Sequence, residues 1–164
     1  MSIMTTEFFD SAPRVFPPGA RYAALYADGD FKQPHPPGIP NVRWITVDGG
    51  AAAAAYAGII DFERGNPAYL GAALGDYAGA RIRAGHKARV YCNRSDVHPA
   101  FAQVDHMDVW WWIATLDNSP HWTPKLIVAS VRAMTGITLP VDRIWGVQWG
   151  TNSRYDTSYL FAEW

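Results

Sequence analysis

The residues best suited to chemistry are two carboxylates one residue apart. They are Asp61 and Glu63, in the stretch Ile59-Ile60-Asp61-Phe62-Glu63-Arg64-Gly65-Asn66-Pro67. An apolar run preceded by Gly58 leads into them, Gly65 stops it, and Asn66-Pro67 opens a helical pattern. In a strand, side chains two apart share a face, so the two acids would stand side by side with Cα atoms about 6.5–7 Å apart. Crowded carboxylates repel, which favours one of them keeping its proton at neutral pH. Such a pair can run general-acid chemistry beside a charged base or nucleophile. Glycoside hydrolysis needs that combination: a protonated carboxyl at the leaving oxygen and a second carboxylate for the cationic transition state. The same stretch also fits a surface strand ending in ordinary acids with Arg64 as their partner.

Elements able to position the pair follow from periodicity and turn chemistry. Residues 1–20 read as an irregular lead-in, with prolines at 13, 17 and 18. A single domain then spans 21–164. Strands are predicted over 21–27, 42–47, 59–62, 87–91, 109–115 and 144–149, with a short closing strand over 159–161. Pro34, Pro36, Pro37 and Pro40 make 31–41 a stiff extended loop. The run 51–57 holds at most two helical turns. A helix is predicted from Pro67 to about Ala84, with Leu70, Leu74 and Tyr77 on one stripe, Asn66 as its cap and Gly85 as its stop. A second runs from Ser95 to about Val104. A third is capped by Thr123, buries Ile127, Val131 and Met134, and ends at Gly136. Alternating strands and helices argue for a parallel sheet. Most of the strands end in polar residues: Asp28 and Asp30, Asp48, Asp61 and Glu63, Asn93, Asp117 and Asn118, Gln148. In a parallel barrel such ends converge on one mouth.

Composition narrows the function classes. The chain has 164 residues, 49% hydrophobic and 18% charged, with a net charge of -1. No Lys/Arg block is present, which argues against a nucleic-acid partner. No apolar run approaches the length of a membrane span, and residues 1–10 carry no secretory signal pattern. The single cysteine, Cys92, lies in an apolar strand pattern and reads as a buried thiol. The five histidines form no His-Glu-x-x-His helix or tight zinc pair, so no metal or other cofactor is expected. Eight Trp and eight Tyr suit either core filling or the apolar faces of sugars. In the fifth strand Trp110 and Trp112 share a face, one able to contribute a sugar platform.

Four motifs, in order, carry a resemblance. Ile60-Asp61-Phe62-Glu63 resembles the Asp-x-Glu strand of glycoside hydrolase family 25 muramidases, the lysozymes of many phage endolysins. Val90-Tyr91-Cys92-Asn93 resembles their next strand, and Trp110-Trp111-Trp112-Ile113-Ala114 is similar to their Leu-Trp-Ile-Ala strand. Trp145-Gly146-Val147-Gln148-Trp149 resembles their Trp-Gln-Tyr strand, and Tyr155-Asp156 the late aspartate after it. The wording is nearest to small family-25-like proteins of actinobacteria and their phages. The resemblance implies a TIM-like (β/α) barrel of parallel strands, small and trimmed or incomplete, with a substrate groove at the carboxyl ends. It implies Glu63 as catalytic acid and Asp61 as the assisting carboxylate. A first-strand aspartate, Asp28 or Asp30 by position, and Asp156 complete the acidic cluster. Tyr91, Trp112, Gln148 and Trp149 fall on the motif strands expected to line the groove.

The implied partner is peptidoglycan or another glycan, met from the host cytoplasm before lysis or from a virion. The first strand lacks the family's Gly-x-Asp-x-Ser, Thr157-Ser158 follows the late aspartate in place of Leu-Asn, and the chain is short for a barrel. These departures keep a second expectation in view. It is a non-catalytic phage virion or tail module that binds glycan or neighbouring virion proteins on the same scaffold.

Overall fold

A computed structural model describes residues 6–10 and 15–164. Among these residues eight strands form a closed barrel in chain order: β1 Thr6–Asp10, β2 Tyr22–Tyr26, β3 Asn41–Thr46, β4 Ile59–Asp61, β5 Ala88–Asn93, β6 Val109–Ala114, β7 Ile144–Thr151 and β8 Asp156–Leu160. Neighbours from β1 to β7 are parallel, and β8 runs antiparallel to both β7 and β1. The helices are α1 Gly50–Ala53, α2 Ala73–Arg83, α3 Val97–Val104 and α4 Pro124–Thr135.

The barrel is closed and mixed rather than incomplete and wholly parallel. Only residues 152–155 separate β7 from β8, and a parallel crossover needs a dozen residues or more, so the chain must reverse. The Asn152 side chain accepts from the Arg154 and Tyr155 amides and fixes that reversal. The lead-in is not irregular throughout either, because Thr6–Asp10 is a strand. It fills the gap between β2 and β8, and without it the barrel would have two open edges. The remainder of that lead-in at 1–5 and 11–14 lies outside the described residues.

Strand alternation sorts side chains to two faces. Inward, Phe8, Ala24, Ile45, Ile59, Tyr91, Trp112, Ala114, Trp145 and Leu160 make one buried cluster. An eight-stranded barrel is just wide enough to be filled by its own side chains. Alanines on β2 and β6 offset the bulk of Trp112 and Trp145. Outward, the strands from β4 to β7 bury Ile60, Val90, Trp111 and Ile113 against Leu74, Tyr77, Ala100, Ile127 and Val131 of the helices. The outer face of β2 has no long helix. Ala23 and Leu25 pack instead on Ile39 of the proline loop.

The predicted helix from Pro67 is split. Pro67–Tyr69 is a 3-10 turn, Leu70 is extended, and Gly71 has φ +60° before α2 begins. That left-handed glycine ends the turn and swings Leu70 out to 70% exposure, off the expected stripe. Met134 also leaves its expected stripe and is exposed, while Ile127 and Val131 are buried. Thr123 caps α4 by accepting from the Leu126 amide, and Gly136 at φ +77° closes it.

Gly146 sits close against its neighbours inside the barrel. A Cβ there would lie 2.9 Å from the Tyr159 carbonyl oxygen, 3.4 Å from Trp112 and 3.5 Å from Phe8. Backbone oxygen on the neighbouring strand cannot move aside cheaply. Gly146→Ala should therefore cost about 1–3 kcal/mol in denaturant unfolding. Wild-type stability in that variant would show the inner layer to be looser than described.

Candidate active site

The carboxyl ends of the parallel strands and the start of antiparallel β8 meet at one rim. Asp10 ends β1, Tyr26 ends β2, Asp61 ends β4 with Glu63 two residues on, Asn93 ends β5 and Asp156 opens β8. Asp10 and Asp156 are direct cross-strand partners, a position that sets Cβ atoms about 4.5–5.5 Å apart. Asp10 follows inward-facing Phe8 by two residues, and Asp156 precedes Ser158 by two. Ser158 accepts from the Trp112 indole inside the barrel at 3.1 Å. Both carboxyls therefore face the interior.

Burial and mutual repulsion set the protonation of this group. Asp10 is 7% exposed, and its carboxyl is held well above the usual range by burial, then by the Asp156 carboxylate and by Asp61 and Glu63. Asp61 is 2% exposed and is pushed well up by burial and then by Glu63. The Tyr26 hydroxyl donates to Asp61 Oδ2 at 3.1 Å and works against that rise. Asp61 Oδ1 is buried with no hydrogen-bond partner among the described residues. Glu63 is half-buried and raised by burial and then by the charge of Asp96. The Asn93 amide donates to Glu63 Oε1 at 2.5 Å and holds it in place. Burial and the acids also push up the Tyr91 hydroxyl. A partly exposed carboxyl whose proton is held more tightly than usual is suited to donating it to a bound molecule.

A carboxyl raised on folding binds protons more tightly in the native state than in the unfolded one. Its contribution therefore falls as pH rises from the ordinary carboxylate value near ~4 through the raised native value. Wild type should lose more melting temperature than Asp10→Asn as pH climbs through that window. Each unit of elevation corresponds to about 1.4 kcal/mol. Parallel pH curves for the two proteins would contradict the arrangement.

The other anticipated residues are dispersed. Asp28 and Asp30 are not part of the acid cluster. Asp28 is turned to the β2–β3 wall, where it accepts from the Thr46 hydroxyl at 2.5 Å, the Val47 amide at 2.8 Å and the Tyr56 hydroxyl at 2.7 Å. Asp30 is exposed on the following turn. Tyr26 occupies the rim position of β2 instead. Trp112 does not form an open platform: it is 1% exposed and wedged among Phe8, Tyr91 and Trp145. Trp149 points outward, packed on Tyr159 at 5.4 Å and on the helix-facing core. Tyr91 and Gln148 do face the interior, close below the acids. Gln148 pairs with Ala114 and Ser158, and its Oε1 is buried without a partner among the described residues. Cys92 is free and buried.

Asp10, Tyr26 and Asp96 were not singled out from sequence. Asp10 had a signal, since Phe8-Phe9-Asp10 is an apolar pair running into an acid, the rule that marks other strand ends here. Asp96 sits in a 3-10 turn after β5 and has no strand pattern to flag it.

Among the described residues no group of three or more His, Cys, Asp or Glu side chains is arranged to hold a metal ion. No helix among them is long and apolar enough to cross a membrane. No protein-family model matches the chain, and no curated protein or solved structure matches it.

Proposed function

We propose that this chain is a glycoside hydrolase-like domain that cleaves the glycan strands of peptidoglycan by carboxylate acid/base catalysis. The observation that carries the reading is the gathering of Asp10, Asp61, Glu63 and Asp156 at one barrel rim, three of them raised by burial and by each other's charge. Glu63 is the proton donor, being reachable from solvent and oriented by Asn93. Its proton passes to the glycosidic oxygen as the bond from that oxygen to the anomeric carbon breaks. Asp61, whose ionised form the Tyr26 hydrogen bond favours, faces the positive charge developing at the anomeric carbon. Water adds there and gives a proton to the Glu63 carboxylate, which restores the acid. The charges of Asp96 and Asp156 disfavour the ionised form of Glu63 and so favour its proton-bearing one. On this reading the fold is a trimmed TIM-like barrel, and the protein is of phage-lysin type, acting from the host cytoplasm at lysis or from the virion. The test is release of reducing ends from purified cell walls by folded wild-type protein.

A second reading is a glycan-holding module without turnover. It is favoured by an open recess of about 510 Å³ on the barrel wall, lined by Ala27, Asp28, Lys32, Gln33, Trp44 and Tyr56. Aromatic rings beside a few polar groups suit a sugar face. Binding to walls that depends on Trp44, with no reducing ends released, is the outcome that selects it.

A further inference from the structure

The opposite end of the barrel carries an unmatched positive charge. Arg89 lies two residues before Tyr91 on β5, and Arg43 two before Ile45 on β3, so both point inward near the strands' amino ends. Arg89 is 4% exposed. Its guanidinium lies over the Trp145 ring at 5.0 Å, and that of Arg43 over Trp164 at 5.4 Å. The two indoles are themselves in contact, with centroids 5.7 Å apart. Two cations thus rest on one aromatic floor. Neither makes a hydrogen bond or ion pair with any described residue, and the Nε of each is buried without a partner. Arg81, nearby, is already committed to the Ala54 and Lys87 carbonyls.

A buried guanidinium without a carboxylate is costly, and a ring face offsets only part of that cost. Arg43, half-buried, adds its repulsion to the buried Arg89. Burial and then Arg43 push the Arg89 guanidinium down to about 10. What would relieve both charges at once is an oxygen-bearing anion accepting from the two planar forks.

We propose that the amino end of the barrel binds a small oxyanion, of phosphate or carboxylate type, between the guanidiniums of Arg43 and Arg89. The site lies at the end of the barrel away from the acid rim and does not depend on the proposed hydrolysis. The ligand is either a free ion or the anionic group of a larger molecule.

The test titrates intact protein with inorganic phosphate and separately with acetate, against chloride at matched ionic strength. Calorimetry and melting temperature are the readouts. Phosphate at about one hundred times its Kd should raise the wild-type melting temperature by about 5–10 °C. Arg43→Gln should weaken binding at least about tenfold, the loss expected for one charged hydrogen-bonding partner. Arg89→Met should abolish it, and if that variant does not fold, Arg43→Gln decides alone. A response to acetate greater than to phosphate supports the site and assigns it to carboxylates. A wild type that responds to neither anion beyond chloride overturns the proposal, as does an Arg43→Gln protein that binds with wild-type affinity.

Discussion

Glu63→Gln should reduce the release of reducing ends from purified walls by about 10²–10⁴-fold, the range expected when a positioned general acid is removed. The substitution keeps shape and volume. Glutamine can present a carbonyl oxygen to the Asn93 amide that now holds Glu63 Oε1 at 2.5 Å, so the local fold should survive. What it cannot do is give up a proton to a leaving oxygen. It also removes a group that, whenever ionised, raises Asp61 more than any other charge does. The melting temperature of Glu63→Gln should therefore equal or exceed that of wild type while turnover collapses. A variant that hydrolyses walls as well as wild type assigns the proton to another group. A loss of turnover accompanied by unfolding would not support the assignment.

Trp112→Ala should cost about 3–5 kcal/mol, the largest single effect on stability expected in the molecule. Trp112 is 1% exposed in the middle of the barrel. Its ring contacts Phe8 of β1 at 4.9 Å, Tyr91 of β5 at 4.5 Å and Trp145 of β7 at 6.1 Å, and its indole N–H donates to Ser158 of β8. One side chain thus ties β6 to four other strands, including the antiparallel one that closes the barrel. Alanine would leave a cavity that rigid strands cannot collapse into, and would free a buried serine hydroxyl. The rim acids stand directly above this layer, so loss of rim geometry should accompany loss of stability. Urea unfolding measures the effect. A cost below about 1 kcal/mol would mean that the interior relaxes in a way a packed barrel does not.

Local pattern made most of the barrel legible. Strands read as apolar runs with a polar residue at the end, and α4 announced itself through Thr123 and Gly136. What stayed hidden depends on which residues meet across the closed sheet. Asp10 and Asp156 lie at opposite ends of the chain yet are opposite one another in register, and nothing local relates them. The strand-end rule also treats every terminal acid alike. Asp61 ends its strand facing in, whereas Asp28 lies two residues past the end of β2, where it binds the Val47 amide rather than facing the mouth. Alternation gave Trp110 and Trp112 a common face but not their height in the barrel. Trp112 consequently fills the core below the acids. Trp149 is turned outward where the β7–β8 register slips between Gln148 and Gly150, and irregularities of this kind leave little trace in residue type.

If the rim carboxyls hydrolyse a glycosidic bond, oxygen from solvent water must enter the product. Purified peptidoglycan is digested by wild-type protein in water enriched in oxygen-18, and the soluble products are weighed by mass spectrometry. Water adds at the anomeric carbon on this account, so each new reducing end should carry one heavy oxygen. Glycan left unbroken by folded protein, or new ends lacking the label, would contradict it.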